Sequence, residues 1–301
     1  PINTKGEELT DMLDLHQAGA IAFTDGDQPI WHSDILLKTL LYLQKFDGLL
    51  INKPEDKFLN IFGSMHEGVN STMLGLKGMP RLSEELIIIR DINILKYTGG
   101  RLHFSNISTA GSVDIIRKAK EEGLQITCDV AMHQLIFDDS FLHDFDTNYK
   151  VNPPFRESED REALLEGLRD DTIDIVVSAH TPHDEENKKL EFDLAAFGIT
   201  GLQTFFPMLM KVSEFVPLEK LFEKIITNPR KLLKLPLPEV KVGAKANLTL
   251  FSEASSWTYN ERSNKSKAKN SPYFDKALVG KAVGIFHQGA YYLDETYVKK
   301  A

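Results

Sequence analysis

An apolar run of the chain ends in two histidines. Residues 175–178 read Ile-Val-Val-Ser, and Ala179-His180-Thr181-Pro182-His183 follow directly. In barrels of alternating strands and helices, the residues just after each strand carry the chemistry. Histidine nitrogens at such a position can bind a metal ion or transfer a proton. The first candidate site therefore lies at this strand end.

Four more chemically capable residues follow predicted strands in the same way. They are Asp25, Lys53, Asn106 and His133. A hydrolytic zinc site needs several nitrogen and oxygen donors in near-tetrahedral arrangement, and a carboxylate to move a proton. The strand ends supply few of these groups, because lysine and asparagine are poor zinc ligands. The pattern predicts the place of a site and a shortage of metal ligands in it.

Structural roles compete with each functional role. His180 and His183 can cap a strand end with hydrogen-bonded imidazoles, and His103 suits a hydrogen-bonded position in a barrel interior or interface. His133 stays open between a structural and a functional role. Asp25 suits the cap of a turn, and Lys53 is open to one further reading as a carboxylated metal-bridging lysine.

Repeated strand, loop and helix patterns position these residues. Apolar runs predict strands over 20–24, 49–51, 101–105, 124–130 and 173–178, with helices between them. The first helix is predicted within residues 6–19, and Ser33 or Asp34 is predicted to cap the second. A third helix directs Ile87, Ile88 and Ile89 to the core, and residues 62–81 form a long functional or partner-facing loop. Five such units favour a closed βα barrel.

The pattern changes after residue 235. Residues 246–251 alternate in polarity, and a hairpin is predicted around Gln288-Gly289. We therefore predict a βα-barrel domain over 1–235 and a small β module over 236–301. Residues 260–271, polar and rich in lysine, are predicted to be mobile.

Composition excludes several functional classes. The 301 residues carry a net charge of −9 with a pI near 5.5, which argues against a general nucleic-acid or anionic-membrane binder. No apolar run approaches the roughly 20 residues that a membrane helix needs. The single cysteine, Cys128, is predicted to be a core thiol in a cytoplasmic protein. The chain starts at Pro1, so an amino-terminal part is expected to be missing.

Three motifs in order carry a family resemblance. They are Asn152-Pro153-Pro154, His180-Thr181-Pro182-His183, and a Phe-Gly-Ile-Thr-Gly-Leu run over 197–202. Together they resemble the dihydroorotases of the amidohydrolase superfamily. The resemblance implies a TIM-type (β/α) barrel with a small β-sandwich module, here without its amino-terminal part. The His-x-His zinc motif of that family's first strand does not occur in this sequence.

The resemblance also shows which ligand positions are replaced. The family's metal ligands correspond to Asp25 or Gly26, Lys53, Asn106 and Ala179, and Ala179 also stands in place of the catalytic aspartate. At most one of these residues keeps a family ligand type. The resemblance further implies that the substrate-contacting positions are Asn152, His183, Phe197 and Gly198.

Two functional hypotheses follow. In the first, the chain is a dihydroorotase-like protein of pyrimidine biosynthesis without catalysis or bound cofactor, which keeps its barrel for assembly. The resemblance implies aspartate transcarbamoylase as a partner, and a homo-oligomer is the other option. In the alternative, the chain is an active zinc dihydroorotase that hydrolyses the cyclic amide of dihydroorotate to carbamoyl-aspartate. A remnant small-molecule pocket used for sensing is a weaker third reading.

Overall fold

A computed structural model gives the fold of Pro1 and residues 8–294. Its strands are β1 Leu49–Asn52, β2 Met65–His66, β3 Gly78–Met79, β4 Arg101–Phe104, β5 Ile126–Ala131, β6 Ile175–Val177, β7 Asn247–Tyr259, β8 Lys276–His287 and β9 Ala290–Leu293. Strands β1, β4, β5 and β6 form a parallel sheet in that order. Single parallel bridges extend it, between Phe23 and Leu50 at one edge and between His180 and Ile199 beyond β6. The carboxyl ends of these strands therefore meet at one rim.

Helices cover the outside of the sheet. They are α1 Met12–Gln17, α2 Ser33–Leu43, α3 Val69–Leu74, α4 Arg81–Thr98, α5 Ala110–Glu121, α6 Ser158–Arg169, α7 Glu185–Lys188, α8 Phe205–Val212, α9 Leu218–Phe222 and α10 Asn228–Leu232. Apolar residues at helical spacing bury one face of α2, α5 and α6. The strands are buried on both faces, as parallel strands between two layers are.

Several local predictions are wrong. In residues 20–24 only the bridge at Phe23 pairs with the sheet. Ser33 is the first residue of α2 rather than its cap, and no side chain caps that helix. The connection over 62–81 is not a plain loop, because it contains β2, α3 and β3. Ile89 faces away from the core, with 43% of its surface exposed. Part of the predicted first helix, residues 6 and 7, lies outside the described residues.

The carboxyl-terminal strands form one antiparallel sheet. β7, β8 and β9 pair in chain order, and Gln288 and Gly289 make the predicted hairpin turn with positive φ at both residues. In the described residues this module is one three-stranded sheet. It packs on α8, where Gly280 lies against Met210 and Phe206. The division of the chain at residue 235 stays a prediction.

The segment 260–271 is not a mobile linker throughout. Asn270 and Ser271 at its end are both buried. Among the described residues, no helix is both long enough and apolar enough to span a bilayer.

Candidate functional site

A cavity of about 400 Å³ opens at the carboxyl rim of the parallel sheet. Its lining brings together residues from distant parts of the sequence: Asp27, Gln28, Lys53, Asn106, His133, Val151, Asn152, Ala179, His180, Thr181, Phe197, Gly198 and Ile199. Five of the residues predicted from strand ends, namely Lys53, Asn106, His133, Ala179 and His180, thus meet around one space. Replaced ligand positions and predicted substrate positions share its wall.

Lys53 forms a buried ion pair in this wall. Its Nζ lies 3.1 Å from Glu55 Oε2, and the residue is only 7% exposed. Glu55 also accepts hydrogen bonds from Asn152 and from Asn60, each at 3.1 Å. Burial raises the pKa of Glu55, but the Lys53 charge and these hydrogen bonds outweigh it and hold the pKa below its usual value. Lys53 is therefore a paired ammonium.

Asn106 follows β4 with a left-handed backbone, φ +56°. Its backbone N–H donates to Asp129 Oδ1 at 2.7 Å, while its side-chain Oδ1 is buried without a partner. Asp129 Oδ2 lies 2.9 Å from His103 Nε2, and His103 Nδ1 lies 2.8 Å from the Thr127 hydroxyl. Both nitrogens of His103 are thus occupied. This geometry fits the structural role for His103.

Ala179 stands at the end of β6 with φ +42°, in the left-handed region. That region costs most residues about 1–2 kcal/mol and is better tolerated by glycine, asparagine and aspartate. Beside it, His180 Nδ1 accepts the backbone N–H of Leu202 at 3.3 Å. His180 therefore ties β6 to the following loop while one edge of its ring lines the cavity.

His133 is buried in the cavity wall. Its ring meets Phe155 edge-on at 5.6 Å, and its Nδ1 has no hydrogen-bond partner. Burial lowers the pKa of His133 to about 4, so the imidazole is neutral at physiological pH. The neutral ring belongs to the cavity lining, and its unpartnered Nδ1 is itself buried.

Three of the four predicted substrate positions line the cavity, namely Asn152, Phe197 and Gly198. His183 lies behind them, with its Nε2 2.9 Å from the Phe197 carbonyl oxygen. Gly198 has φ +146°, and an added Cβ would come within 2.7 Å of Thr181 Cβ. Glycine is required there because the two rim loops touch.

Asn270 joins these rim loops. Its side-chain Oδ1 accepts the His183 N–H at 3.0 Å and the Thr200 hydroxyl at 2.6 Å. Its Nδ2 donates to the carbonyl oxygens of Thr181 at 2.9 Å and Gly198 at 3.1 Å. One side chain from the segment before β8 therefore fixes both loops of the cavity wall.

Two buried lysines lie under the same loop. Lys150 Nζ donates to the Asp193 carbonyl and lies 4.5 Å from the centre of the Phe197 ring. Lys188 Nζ donates to the carbonyls of Ala196 and Gly198. Burial lowers the pKa of Lys150 to about 8, and burial together with the nearby Lys150 charge lowers the pKa of Lys188 to about 8. In the described chain neither amine forms an ion pair, so both give positive charge to this wall.

The donors at the replaced positions do not fit a zinc pair. Lys53 is a paired cation, Asn106 offers a neutral amide, and Ala179 offers no donor. Asp25 does not reach the cavity and instead lines a separate space of about 230 Å³ with Phe23 and Leu50. Within Pro1 and residues 8–294, no three His, Cys, Asp or Glu side chains group as a metal site. A zinc ion would need donors other than these.

Sequence reasoning missed four residues that lie behind this wall and contact its lining: Glu55, Lys150, Lys188 and Asn270. Lys150 stands two residues before Asn152, and Glu55 follows β1 by three residues. Their nearness to predicted site positions could therefore have identified Lys150 and Glu55. Lys188 and Asn270 lie in polar stretches that resemble solvent-exposed loops, and nothing local in the sequence marks them as buried.

Comparisons with known proteins agree with the motifs. A family model described as dihydro-orotase-like matches residues 1–112. The dihydroorotase of Caldanaerobacter subterraneus subsp. tengcongensis is 40% identical over 279 residues, which cover 92% of this chain and 64% of that protein. The dihydroorotase of Syntrophus aciditrophicus is 37% identical, over 95% of this chain and 68% of that protein. The chain thus spans about two thirds of the length of these relatives.

The fold has close counterparts among solved structures. L-hydantoinase (dihydropyrimidinase) from Arthrobacter aurescens superposes with a TM-score of 0.82 at 21% identity, over 95% of this chain and 67% of that one. A D-hydantoinase superposes with a TM-score of 0.81 at 17% identity. These likenesses confirm the predicted TIM-type barrel fold. With the motifs in order around one cavity and relatives this similar, the chain belongs to the dihydroorotase family.

Proposed function

We propose that this chain is a non-catalytic member of the dihydroorotase family that retains the barrel for an assembly role. The observation that carries this proposal is the buried Lys53–Glu55 ion pair at a family ligand position. An ammonium at that position repels a divalent cation, and the repulsion is strong where water is scarce. The same side chain would have to lose its proton and its partner before metal could enter.

The other replacements act in the same direction. Ala179 has neither an oxygen donor nor a group to carry a proton during hydrolysis. Removal of one group from a catalytic unit commonly costs several orders of magnitude in rate. Because Lys53, Asn106 and Ala179 are all changed, a single substitution elsewhere cannot compensate for the loss. We expect no measurable interconversion of dihydroorotate and carbamoyl-aspartate.

The cavity itself persists, with Asn152, Phe197 and Gly198 in its wall. We propose that it is a remnant small-molecule pocket, and that His183 acts on it only through the Phe197 carbonyl. The assembly role would lie in the cytoplasm, with aspartate transcarbamoylase or with further copies of this chain as the partner. An acidic protein with one buried thiol is compatible with that compartment.

An active zinc dihydroorotase is the second candidate. The dihydroorotase names of relatives up to 40% identical favour it, as do His133 and His180, two imidazoles that line the cavity. This candidate requires metal ligands from other residues of the protein.

Metal content and turnover decide between the two. Zinc per chain is measured after dialysis against zinc and then against buffer, and dihydroorotate hydrolysis is followed by absorbance. We expect neither tight zinc nor turnover, whereas about two zinc ions per chain with turnover would establish the second candidate. A matched variant, Lys53→His with Asn106→His and Ala179→Asp, should bind more zinc than the parent chain.

The assembly role has its own test. The purified chain is mixed with aspartate transcarbamoylase from the same source and analysed by sedimentation velocity. A joint species supports the hetero-assembly, and independent sedimentation of the two proteins contradicts that partner without affecting the catalytic question.

A further inference from the structure

Helix α4 is apolar on both sides. Its inner side buries Ile87, Ile88, Ile92 and Leu95. Its outer side exposes Leu82 by 51%, Leu86 by 41%, Ile89 by 43% and Tyr97 by 80%. The outer helices of a barrel usually direct polar residues to water. With Asn93, these outer residues recur every three or four positions and therefore form one continuous stripe.

The stripe is not exposed because α4 lacks a neighbouring helix on one side. Helix α2 packs along one side of α4 and α5 along the other, so both lateral neighbours already belong to this chain. Phe58, 60% exposed, comes from the segment that is tied to the first turn of α4 by the Asp56 N–H to Ser83 carbonyl bond of 3.0 Å. Phe58 and the four apolar stripe residues form what we call the α4 patch.

The α4 patch has the size of half a protein interface. Taking a large side chain as roughly 150–250 Å², the five residues expose roughly 500 Å² of mostly apolar surface. A standard interface buries about 800 Å² per partner, of which roughly 60% is apolar. The patch therefore matches the apolar part of one standard interface.

The spacing of the stripe fits a copy of itself. When α4 is laid antiparallel on a second α4, Leu82 meets Tyr97 of the second copy, Leu86 meets Asn93, and the two Ile89 side chains lie near the axis. A two-fold interface of this kind uses the same surface on both subunits. None of these stripe positions is charged, so the contact adds no like-charge repulsion between chains of net charge −9.

We propose that the α4 patch is the interface of a two-fold homodimer in which α4 of one copy packs antiparallel on α4 of the other. This proposal does not depend on whether the chain catalyses a reaction. It assigns a surface and a partner, a second copy of this chain.

Substitution at the centre of the stripe tests the proposal. Ile89→Glu places two carboxylates at the axis, and we expect at least a hundredfold weaker dimer by sedimentation equilibrium. Ile226→Glu is the matched control, because Ile226 is also 43% exposed but lies outside the patch in the segment Glu223–Thr227. The control should dimerise like the parent chain, and both variants should keep the parent's circular dichroism. A monomeric parent chain, or an Ile89→Glu variant that dimerises normally, would overturn the proposal.

Cysteine cross-linking tests the orientation. Ile89→Cys should form an intermolecular disulfide on oxidation, since its Cβ atoms can approach within about 4 Å near the axis. Leu82→Cys alone should not, because 1.5 Å of rise per residue separates its two copies by roughly 22 Å. A mixture of Leu82→Cys and Tyr97→Cys chains should cross-link. Efficient cross-linking of Leu82→Cys alone would exclude the antiparallel arrangement.

Discussion

Lys53 and Asn152 are joined through a single oxygen atom, Glu55 Oε2, which lies 3.1 Å from the Lys53 ammonium and 3.1 Å from the Asn152 amide nitrogen. A residue at a replaced ligand position is thereby linked to a predicted substrate position. A change of charge at Lys53 should therefore alter the hydrogen bond that Asn152 donates to Glu55.

Lys53→Met should leave Glu55 buried without its cation. Breaking a buried ion pair on one side costs roughly 3 kcal/mol, and we expect a loss of this size in urea unfolding at pH 7. In the native protein the Glu55 pKa is lowered, so its stabilisation is full above the ordinary value of 4.5 and is lost as the pH falls through the lowered value. The deficit of the variant should therefore shrink below about pH 4.5.

The control for this measurement is Lys38→Met. Lys38 pairs with Asp34 on the exposed side of α2, where such a pair contributes less than about 1 kcal/mol. Equal losses in the two variants would show that the Lys53–Glu55 pair is not specially stabilising.

Removal of the His133 ring should change the pH dependence of stability. The folded pKa of His133 is about 4, below the usual histidine value of 6.5, so the unfolded chain takes up a proton first as the pH falls. The native protein should lose up to about 1.4 kcal/mol per pH unit from this group between pH 6.5 and 4. His133→Gln should remove that slope, while buried His66 keeps a similar one because burial also lowers its pKa to about 4. His143→Gln, which removes an exposed imidazole, is the surface control for the substitution itself.

Gly198→Ala should destabilise the protein and deform the cavity. The new Cβ would meet Thr181 within 2.7 Å, in a backbone conformation that side chains rarely adopt. Strain and overpacking together predict a loss of roughly 3 kcal/mol in thermal unfolding. Gly19→Ala is the matched control, because Gly19 has φ +108° with open space around it and should show only the backbone cost of about 1 kcal/mol. A Gly198→Ala variant no worse than the control would contradict the close approach of the rim loops.

Asn270→Ala should loosen both rim loops together. It removes four side-chain hydrogen bonds and leaves the half-buried His183 N–H and Thr181 carbonyl without this partner, while the Gly198 carbonyl keeps its bond from Lys188. Hydrogen exchange at the His183 amide should be faster by at least tenfold, with a global loss of roughly 2–4 kcal/mol. Asn93→Ala, which removes one exposed bond to the Ile89 carbonyl, should change neither quantity measurably. Unchanged exchange at His183 would show that the loops hold their positions without Asn270.

Much of the barrel follows from local patterns. β1 and β5 are short apolar runs between clear breaks, and α5 carries apolar residues on one face only, so hydrophobic periodicity suffices for them. Ile89 shows the limit of that signal. Helix α4 contains five isoleucines, and periodicity could not identify the one that faces outward, because this helix is apolar on both sides.

The site was predictable only in part. Lys53, Asn106 and Ala179 follow strands, and parallel strands bring their ends together, so their convergence on one cavity was expected. The sequence did not predict that Asp25 lines a different space. The strand predicted before it forms only one bridge with the sheet, so Asp25 does not lie where the end of a full strand would place it. Asn270 contacts residues 70 to 89 positions away in the chain, and no local pattern encodes such contacts.

The backbone at Ala179 has a consequence for how this site could change again. Its φ of +42° is a conformation that aspartate tolerates better than alanine, and it persists although the side chain offers no chemistry. A carboxylate could therefore return at this position by substitution alone, without rebuilding the strand end. In evolutionary terms, the replacement at this position is open to reversal, because the backbone conformation suited to a carboxylate is still present.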